Sequence, residues 1–334
     1  MNAPFPFIVG CGRSGSTLLR VMLDAHPEMA VPPESYFLEQ LLRRKDGFVR
    51  GGSFRADEFL QELERDPRFQ VWTAHGREIA ASLAQAPPTE LAGAIRQVYA
   101  VAASQSGASR YADKTPGYAL CVDALAATLP EAVFVHLIRD PRDVAASYRN
   151  ASWGPRTLVA AGKMWADRVG AAQAAGQRLG PERYLEVRYE DLVRDPSGSL
   201  AAVCSFIDLP FDPAMLSYED SAAARETSQR DGGAHVGLLR RPTVGVRNWR
   251  DEMSAADAAR VGAVTDRLAV SMGYERSPRL EGGNRLHYGV ERILSVPDDI
   301  SLGFRRTRFA NRLRARWRRL RGRATREQIV ASGA

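Results

Sequence analysis

Cysteine is scarce in this chain, with three residues at positions 11, 121 and 204. An odd number without metal-ligand spacing argues against a disulfide scaffold or a thiolate metal site, and reduced thiols in a cytoplasmic protein are the expectation. Long hydrophobic runs are missing too. No stretch approaches the ~20 apolar residues of a membrane span. A first strand is predicted directly after Met1-Asn2-Ala3-Pro4, which leaves no room for a signal peptide. No internal repeat is visible. At 45% apolar and 25% charged residues the composition is that of an ordinary globular protein.

Negative charge is almost absent from the C-terminus. Residues 305–334 hold eleven Arg and one Glu, a charge of +10, which leaves −3 of the total +7 for residues 1–304. The basicity therefore belongs to a tail and bears on partners rather than fold. Within it Phe309, Leu313, Trp317 and Leu320 recur at steps of four, four and three. A helix would line them on one face, with Arg312, Arg314, Arg318, Arg319 and Arg321 on the flanks and opposite side. Residues 305–326 are thus expected to meet a membrane surface, a second subunit or the chain's own body. No specific nucleic-acid partner is expected. The division predicted is a main domain over 1–280 and a basic extension over 281–334.

What the sequence does contain starts at residue 5. The apolar run Phe5-Pro6-Phe7-Ile8-Val9 feeds Gly10-Cys11-Gly12-Arg13-Ser14-Gly15-Ser16-Thr17, and the apolar stripe Leu18, Leu19, Met22, Leu23 follows. This reads as strand, phosphate loop and helix, in which backbone N–H groups and a helix N-terminus surround phosphate oxygens. The spacing is that of G-x-x-x-x-G-K-[ST], except that Ser16 holds the lysine position. Loss of the lysine that serves β- and γ-phosphates argues against nucleoside triphosphate chemistry. A second unit follows the same plan. Ala132 to Ile138 is a continuous apolar run predicted as a strand buried on both faces. Asp140-Pro141 then supplies an N-cap and a first helical residue. Asp140 can also be read as a Mg²⁺-binding acid at a strand end. Met29-Ala30-Val31 and residues 183–188 are further strand candidates, residues 35–108 read mostly as helix, and helices are predicted near 197–207 and 254–271. Strands alternating with helices imply an α/β fold with a parallel sheet, and ligands in such sheets bind beyond the carboxyl ends of the strands.

Arg13-Ser14-Gly15-Ser16-Thr17-Leu18-Leu19-Arg20 resembles the 5′-phosphosulfate loop of sulfotransferases that use 3′-phosphoadenosine 5′-phosphosulfate (PAPS). The likeness is greatest to the tyrosylprotein sulfotransferases and their bacterial relatives. It implies a P-loop-type three-layer fold with a central parallel sheet and many helices, and no metal. Leu137-Ile138-Arg139-Asp140-Pro141 through Ser147 resembles the family's 3′-phosphate motif, an Arg at the strand end and a Ser eight residues later. The resemblance makes Arg139 and Ser147 the 3′-phosphate ligands. Arg240-Arg241-Pro242 resembles a degenerate late basic loop over the nucleotide, and a solvated basic loop fits it as well. Tyr189-Glu190-Asp191-Leu192-Val193 matches a recurrent segment, which implies Tyr189 near the adenosine.

The base follows from an absence. Cytosolic members carry Lys-Thr-His with His as base, whereas Asp113-Lys114-Thr115-Pro116 has no His. Tyrosylprotein-type members use a Glu twenty-one residues after the loop Arg, and that count from Arg13 lands on Glu34. The resemblance thus makes Glu34 the base, with Arg13 and Lys114 as the cations on the sulfonate and bridging oxygen. Ser14, Gly15, Ser16 and Thr17 cradle the 5′-phosphate. The implied reaction moves a sulfonate from PAPS to an acceptor hydroxyl of open class, in a cytoplasmic enzyme that could dock peripherally on a membrane. Two alternatives stand beside it: a nucleotide-dependent kinase with a displaced lysine, and a nucleotide-binding adaptor without catalysis.

Overall fold

The computed structural model describes residues 3–66, 68–69, 72, 76–149, 151, 153–230, 236–242 and 248–294. The amphipathic stretch predicted over 305–326 lies outside them. Two compact units emerge: residues 1–144 with 167–248, and residues 145–166 with 249–334.

The first unit is built on one four-stranded sheet. In chain order its elements are β1 (Phe5–Gly10), α1 (Ser16–Asp24), β2 (Met29–Ala30), α2 (Leu38–Arg43), β3 (Val49–Arg50), β4 (Ser53–Phe54), α3 (Ala56–Arg65), α4 (Gly76–Gln85), α5 (Leu91–Gln105), β5 (Arg110–Tyr111), β6 (Asp113–Lys114), α6 (Val122–Thr128) and β7 (Ala132–Ile138). There follow α7 (Pro141–Arg149), α8 (Leu158–Leu179), β8 (Tyr184–Arg188), α9 (Tyr189–Arg194), α10 (Pro196–Phe206) and α11 (Ala222–Arg230), with α7 and α8 each contributing residues to both units. The sheet order is β6-β1-β7-β8 and every pairing is parallel. All residues of β1 and β7 are buried, as continuous apolar runs in a doubly covered sheet should be.

The strand period of two sorts the core into two layers. Phe5, Phe7, Val9 and Phe134 meet Phe37, Trp72, Tyr99, Leu125, Ala172 and Ala175 on one face. Ile8, Val135, Leu137 and Val187 meet Leu19, Met22, Leu200, Val203 and Met215 on the other. Helix, sheet and helix make the three layers expected.

Several local readings shift. Met29-Ala30 is a strand, but it pairs with β5 in a separate two-stranded sheet and not with β1. Inside 35–108, read mostly as helix, Val49–Arg50 and Ser53–Phe54 pair as a β3–β4 hairpin around Gly51 and Gly52. β6 had no sequence signal, because two residues are too few for a period.

In the second unit, α12 (Trp249–Glu252), α13 (Ala255–Ser271) and α14 (Gly282–Leu294) join the residues of α7 and α8 assigned to it. Ser254 caps α13, its Oγ accepting from the Asp257 amide at 3.1 Å. Glu291 on α14 accepts from the Val159 amide at 3.3 Å, which ties α14 to α8. Among the described residues no helix is long and apolar enough to cross a membrane.

Candidate active site

β1 delivers the chain to a turn that its residues shape for an anion. Gly15 is the N-cap of α1 with φ +90°, and Arg13 is also left-handed at φ +70°. The cap brings no side-chain hydrogen bond, and the first turn of α1 holds no acid. The positive end of the helix therefore faces the loop without a carboxylate to neutralise it. Ser14 is fully buried and its Oγ has no hydrogen-bond partner among the described residues. A buried hydroxyl in that state is costly unless a ligand completes it.

Two elements close on this loop. On one side the Tyr189 ring takes the space beside Gly15: a Cβ there would come within 2.3 Å of its Cδ2. The Arg139 guanidinium, leaving the end of β7, stacks on the same ring at 4.4 Å from its centroid. Arg139 is buried and donates to Asp143 at 3.3 Å.

On the other side β6 presents Lys114, with 4% of its side chain exposed. Its Nζ lies 2.5 Å from Glu34 Oε1 and 3.5 Å from Thr17 Oγ1. A lysine from β6 thus reaches the loop whose own lysine position is Ser16. Burial pushes the Glu34 carboxyl up, but the charge and hydrogen bond of Lys114, helped by Tyr36, hold it below the usual range. Arg13, Ser14, Gly15, Ser16 and Thr17, with Glu34, Lys114, Arg139 and Tyr189, therefore all stand in or around one loop.

Ser147 is buried on α7, in the second unit. Arg240 and Arg241 are exposed, and Arg241 is paired with Glu219 at 3.1 Å. Asp140 has no metal-like vacancy to offer: Arg142 donates to it from its amide at 2.8 Å and from its guanidinium at 2.9 and 2.7 Å. His26, just past the α1 C-cap Ala25, bridges the Pro210 carbonyl at 2.9 Å and the Glu28 amide at 3.0 Å. His136 Nδ1 meets the Tyr184 hydroxyl at 2.5 Å, and among the described residues Nε2 has no hydrogen-bond partner.

Sequence reasoning missed the group behind the Glu34–Lys114 pair. Asp113 accepts from the Tyr99 hydroxyl at 2.6 Å and from Ser35 Oγ at 2.7 Å. Burial pushes its carboxyl up to about 6, against the pull of the Tyr99, Ser35 and Thr115 hydroxyls. Its adjacency to Lys114 was the only available signal.

Such a phosphate loop, on a parallel sheet with a lysine and a carboxylate at its edge, defines a group-transfer enzyme of the P-loop type. The chain belongs to the sulfotransferase family, whose family model matches residues 4–213, and it is accordingly a sulfonate-transferring enzyme. It is 28% identical over 316 residues to the nodulation protein NoeE of Sinorhizobium fredii, covering 82% of this chain and 68% of that one. It is 24% identical over 253 residues to protein-tyrosine sulfotransferase 2 of Gallus gallus, covering 72% of this chain and 59% of that one. The sulfotransferase domain of the Synechococcus PCC 7002 olefin synthase superposes with a TM-score of 0.57 at 26% identity, over 81% of this chain and 95% of that one.

Proposed function

We propose that the enzyme takes its sulfonate from PAPS and that Glu34 is the base that deprotonates an acceptor hydroxyl. The observation that carries this reading is Lys114, which touches both the phosphate loop through Thr17 and the carboxylate of Glu34. The residues fit the donor: the orphaned Ser14 hydroxyl and the α1 N-terminus without a side-chain cap both call for an anion. When bound, PAPS supplies a sulfonate on an activated phosphate and departs as adenosine 3′,5′-bisphosphate.

The chain's own residues then divide the work. Arg13 and the Ser14–Thr17 backbone and hydroxyls hold the 5′-phosphate. Arg139, a planar donor fork, binds the 3′-phosphate, with Ser147 eight residues on as the motif's second ligand. Tyr189 packs beside the adenosine, and Arg240 and Arg241 cover it once the late loop meets the nucleotide. Glu34 accepts the acceptor's proton, and Arg13 and Lys114 neutralise charge as the sulfonate leaves phosphate. No metal enters this scheme. The buried thiols Cys11 and Cys204 suit a cytoplasmic enzyme. The basic extension over 281–334, through residues 305–326, would supply peripheral membrane or subunit contact.

Calorimetry with adenosine 3′,5′-bisphosphate, ATP and AMP, each with and without Mg²⁺, tests the donor. The bisphosphate should bind at least tenfold tighter than either, without Mg²⁺, and equal affinities for all three would defeat the reading. Glu34→Gln tests the base: turnover should fall about 10²–10⁴ with bisphosphate affinity nearly unchanged.

A further inference from the structure

The residue that follows the proposed base is held from both sides of the lysine that pairs with it. The Ser35 amide donates to Thr115 Oγ1 at 3.0 Å, and Ser35 Oγ donates to Asp113 Oδ2 at 2.7 Å. Thr115 and Asp113 flank Lys114 in the chain. Two further bonds complete the clamp. Ser35 Oγ meets the Tyr118 hydroxyl at 2.8 Å, and the Leu38 amide donates to that same hydroxyl at 3.0 Å. The Tyr99 hydroxyl on α5 fixes Asp113 from the far side at 2.6 Å. Ser35, Thr115, Tyr99, Tyr118 and Asp113 are all buried to within 1%.

We propose that Asp113 is a positioning residue of sulfonate transfer, which locks the segment 34–38 onto β6 and so fixes the Glu34 carboxylate against Lys114. This rests on the reading of Glu34 as base. Asp113 itself cannot take a proton from an acceptor: it is 1% exposed and its Oδ2 is occupied by two hydroxyls. Nor is a buried carboxylate an economical way to fill a core, because desolvating it is unfavourable and an apolar side chain would serve stability better. Its Oδ1 meets no well-aligned hydrogen-bond donor among the described residues. What the carboxylate offers is direction, since one charge-assisted bond fixes Ser35 and a second, from Tyr99, fixes the carboxylate that holds it. Misplacement of a catalytic group by about 1 Å can cost about 10²-fold in rate, so a device that sets the Glu34 backbone has a function to serve.

The groups facing Asp113 are Tyr99 on α5, Tyr118 and Ser35, with Glu34 raising and the hydroxyl bonds lowering its carboxyl. Below about pH 6 it gains a proton and the charge-assisted character of both bonds is lost. Glu34 titrates lower, so the first acid limb of the transfer rate belongs to Asp113.

The test uses the full chain, adenosine 3′,5′-bisphosphate as binding probe, and release of inorganic sulfate from radiolabelled PAPS with water as acceptor. Water attacks sulfur, the sulfur–oxygen bond to the 5′-phosphate breaks, and Glu34 takes the proton. Asp113→Asn should bind the bisphosphate within about threefold of the parent, release sulfate about 10–100-fold more slowly, and lose the acid limb near pH 6. Tyr99→Phe, which leaves Ser35 bound, should fall between the two. If Asp113→Asn does not fold, Ser35→Ala removes the link and should give the same rate loss at preserved affinity. A parental rate in these variants overturns the proposal. So does a joint fall of rate, bisphosphate affinity and melting temperature with the acid limb unmoved, which is the behaviour of ordinary core. Glu34→Gln run beside them separates the two claims: a parental rate there defeats the base assignment whatever Asp113 does.

Discussion

The Tyr189 ring stands where a Gly15 side chain would have to go, 2.3 Å from an ideal Cβ. Two remote parts of the sequence, the loop after β1 and the start of α9, are thus fitted to each other at a single missing methyl. The same ring carries the Arg139 guanidinium at 4.4 Å. Glycine at position 15 therefore does two things: it permits φ +90° and it lets the aromatic floor of the site approach the loop.

Gly15→Ala should disturb both. A left-handed alanine costs about 1–3 kcal/mol, and the ring must move, taking Arg139 with it. Chemical denaturation should show that loss of stability, and calorimetry should show adenosine 3′,5′-bisphosphate bound at least tenfold more weakly. Parental affinity in this variant would mean that the Tyr189–Arg139 stack is not part of the nucleotide site.

Lys114 sets the protonation of Glu34. Burial alone would raise the carboxyl, and the lysine more than cancels it. Lys114→Met keeps the burial and removes the cation, so the Glu34 titration followed by carbon NMR should move upward from its depressed position. In the parent, the stability that Glu34 contributes is present above its unfolded-state value and is lost as pH falls through the folded one. In Lys114→Met that acid loss should be absent. An unmoved Glu34 titration would show that the 2.5 Å contact does not persist in solution.

The parts of the site carried by contiguous residues were legible in the sequence. Residues 10–17 and 139–147 each run from a strand end into a helix, so their composition alone declares a loop and a cap. Glu34 was found by counting from Arg13, since the resemblance supplied the distance. The pairing of Glu34 with Lys114 was not legible, because β6 is two residues long and gains its place only by hydrogen bonding to β1. The Asp113 cluster was invisible for the same reason: Ser35 and Asp113 lie 78 residues apart, and no local pattern links them. The resemblance supplied Arg240 and Arg241 as it supplied Glu34; both are exposed, and the Arg241–Glu219 pair at 3.1 Å has no local signal in the sequence.

His136 sits wholly inside β7 and burial pushes its imidazole down to about 3. In the unfolded chain it takes a proton near 6.5. Between those values the unfolded state binds more protons, so stability is full above pH 6.5 and falls as pH drops toward 3, by up to about 1.4 kcal/mol per unit. His136→Phe removes that slope, and Tyr184 keeps Glu186 as a partner at 3.1 Å. The parent's denaturation midpoint should therefore fall relative to the variant's as pH is lowered from 7 to 4.5. Parallel curves would show that His136 is already charged in the folded protein.

Arg139 is the residue through which the proposed donor can be tested against other nucleotides. It is buried, stacked on Tyr189 and tied to Asp143 on the first turn of α7, so the protein holds it in place before any ligand arrives. A preset guanidinium is suited to one bidentate anion, and the motif assigns it the 3′-phosphate that AMP lacks. A charge-assisted bond of this kind is worth about 1.5–3 kcal/mol, or roughly 10–150-fold in affinity. Arg139→Ala should therefore weaken adenosine 3′,5′-bisphosphate by that factor while AMP, which meets the loop through its 5′-phosphate alone, changes little. Arg139→Lys should recover only part of the loss, because an ammonium restores charge but not the fork. Should both nucleotides weaken equally, the residue would be acting through Tyr189 and the loop, and 3′-phosphate recognition would have to lie elsewhere.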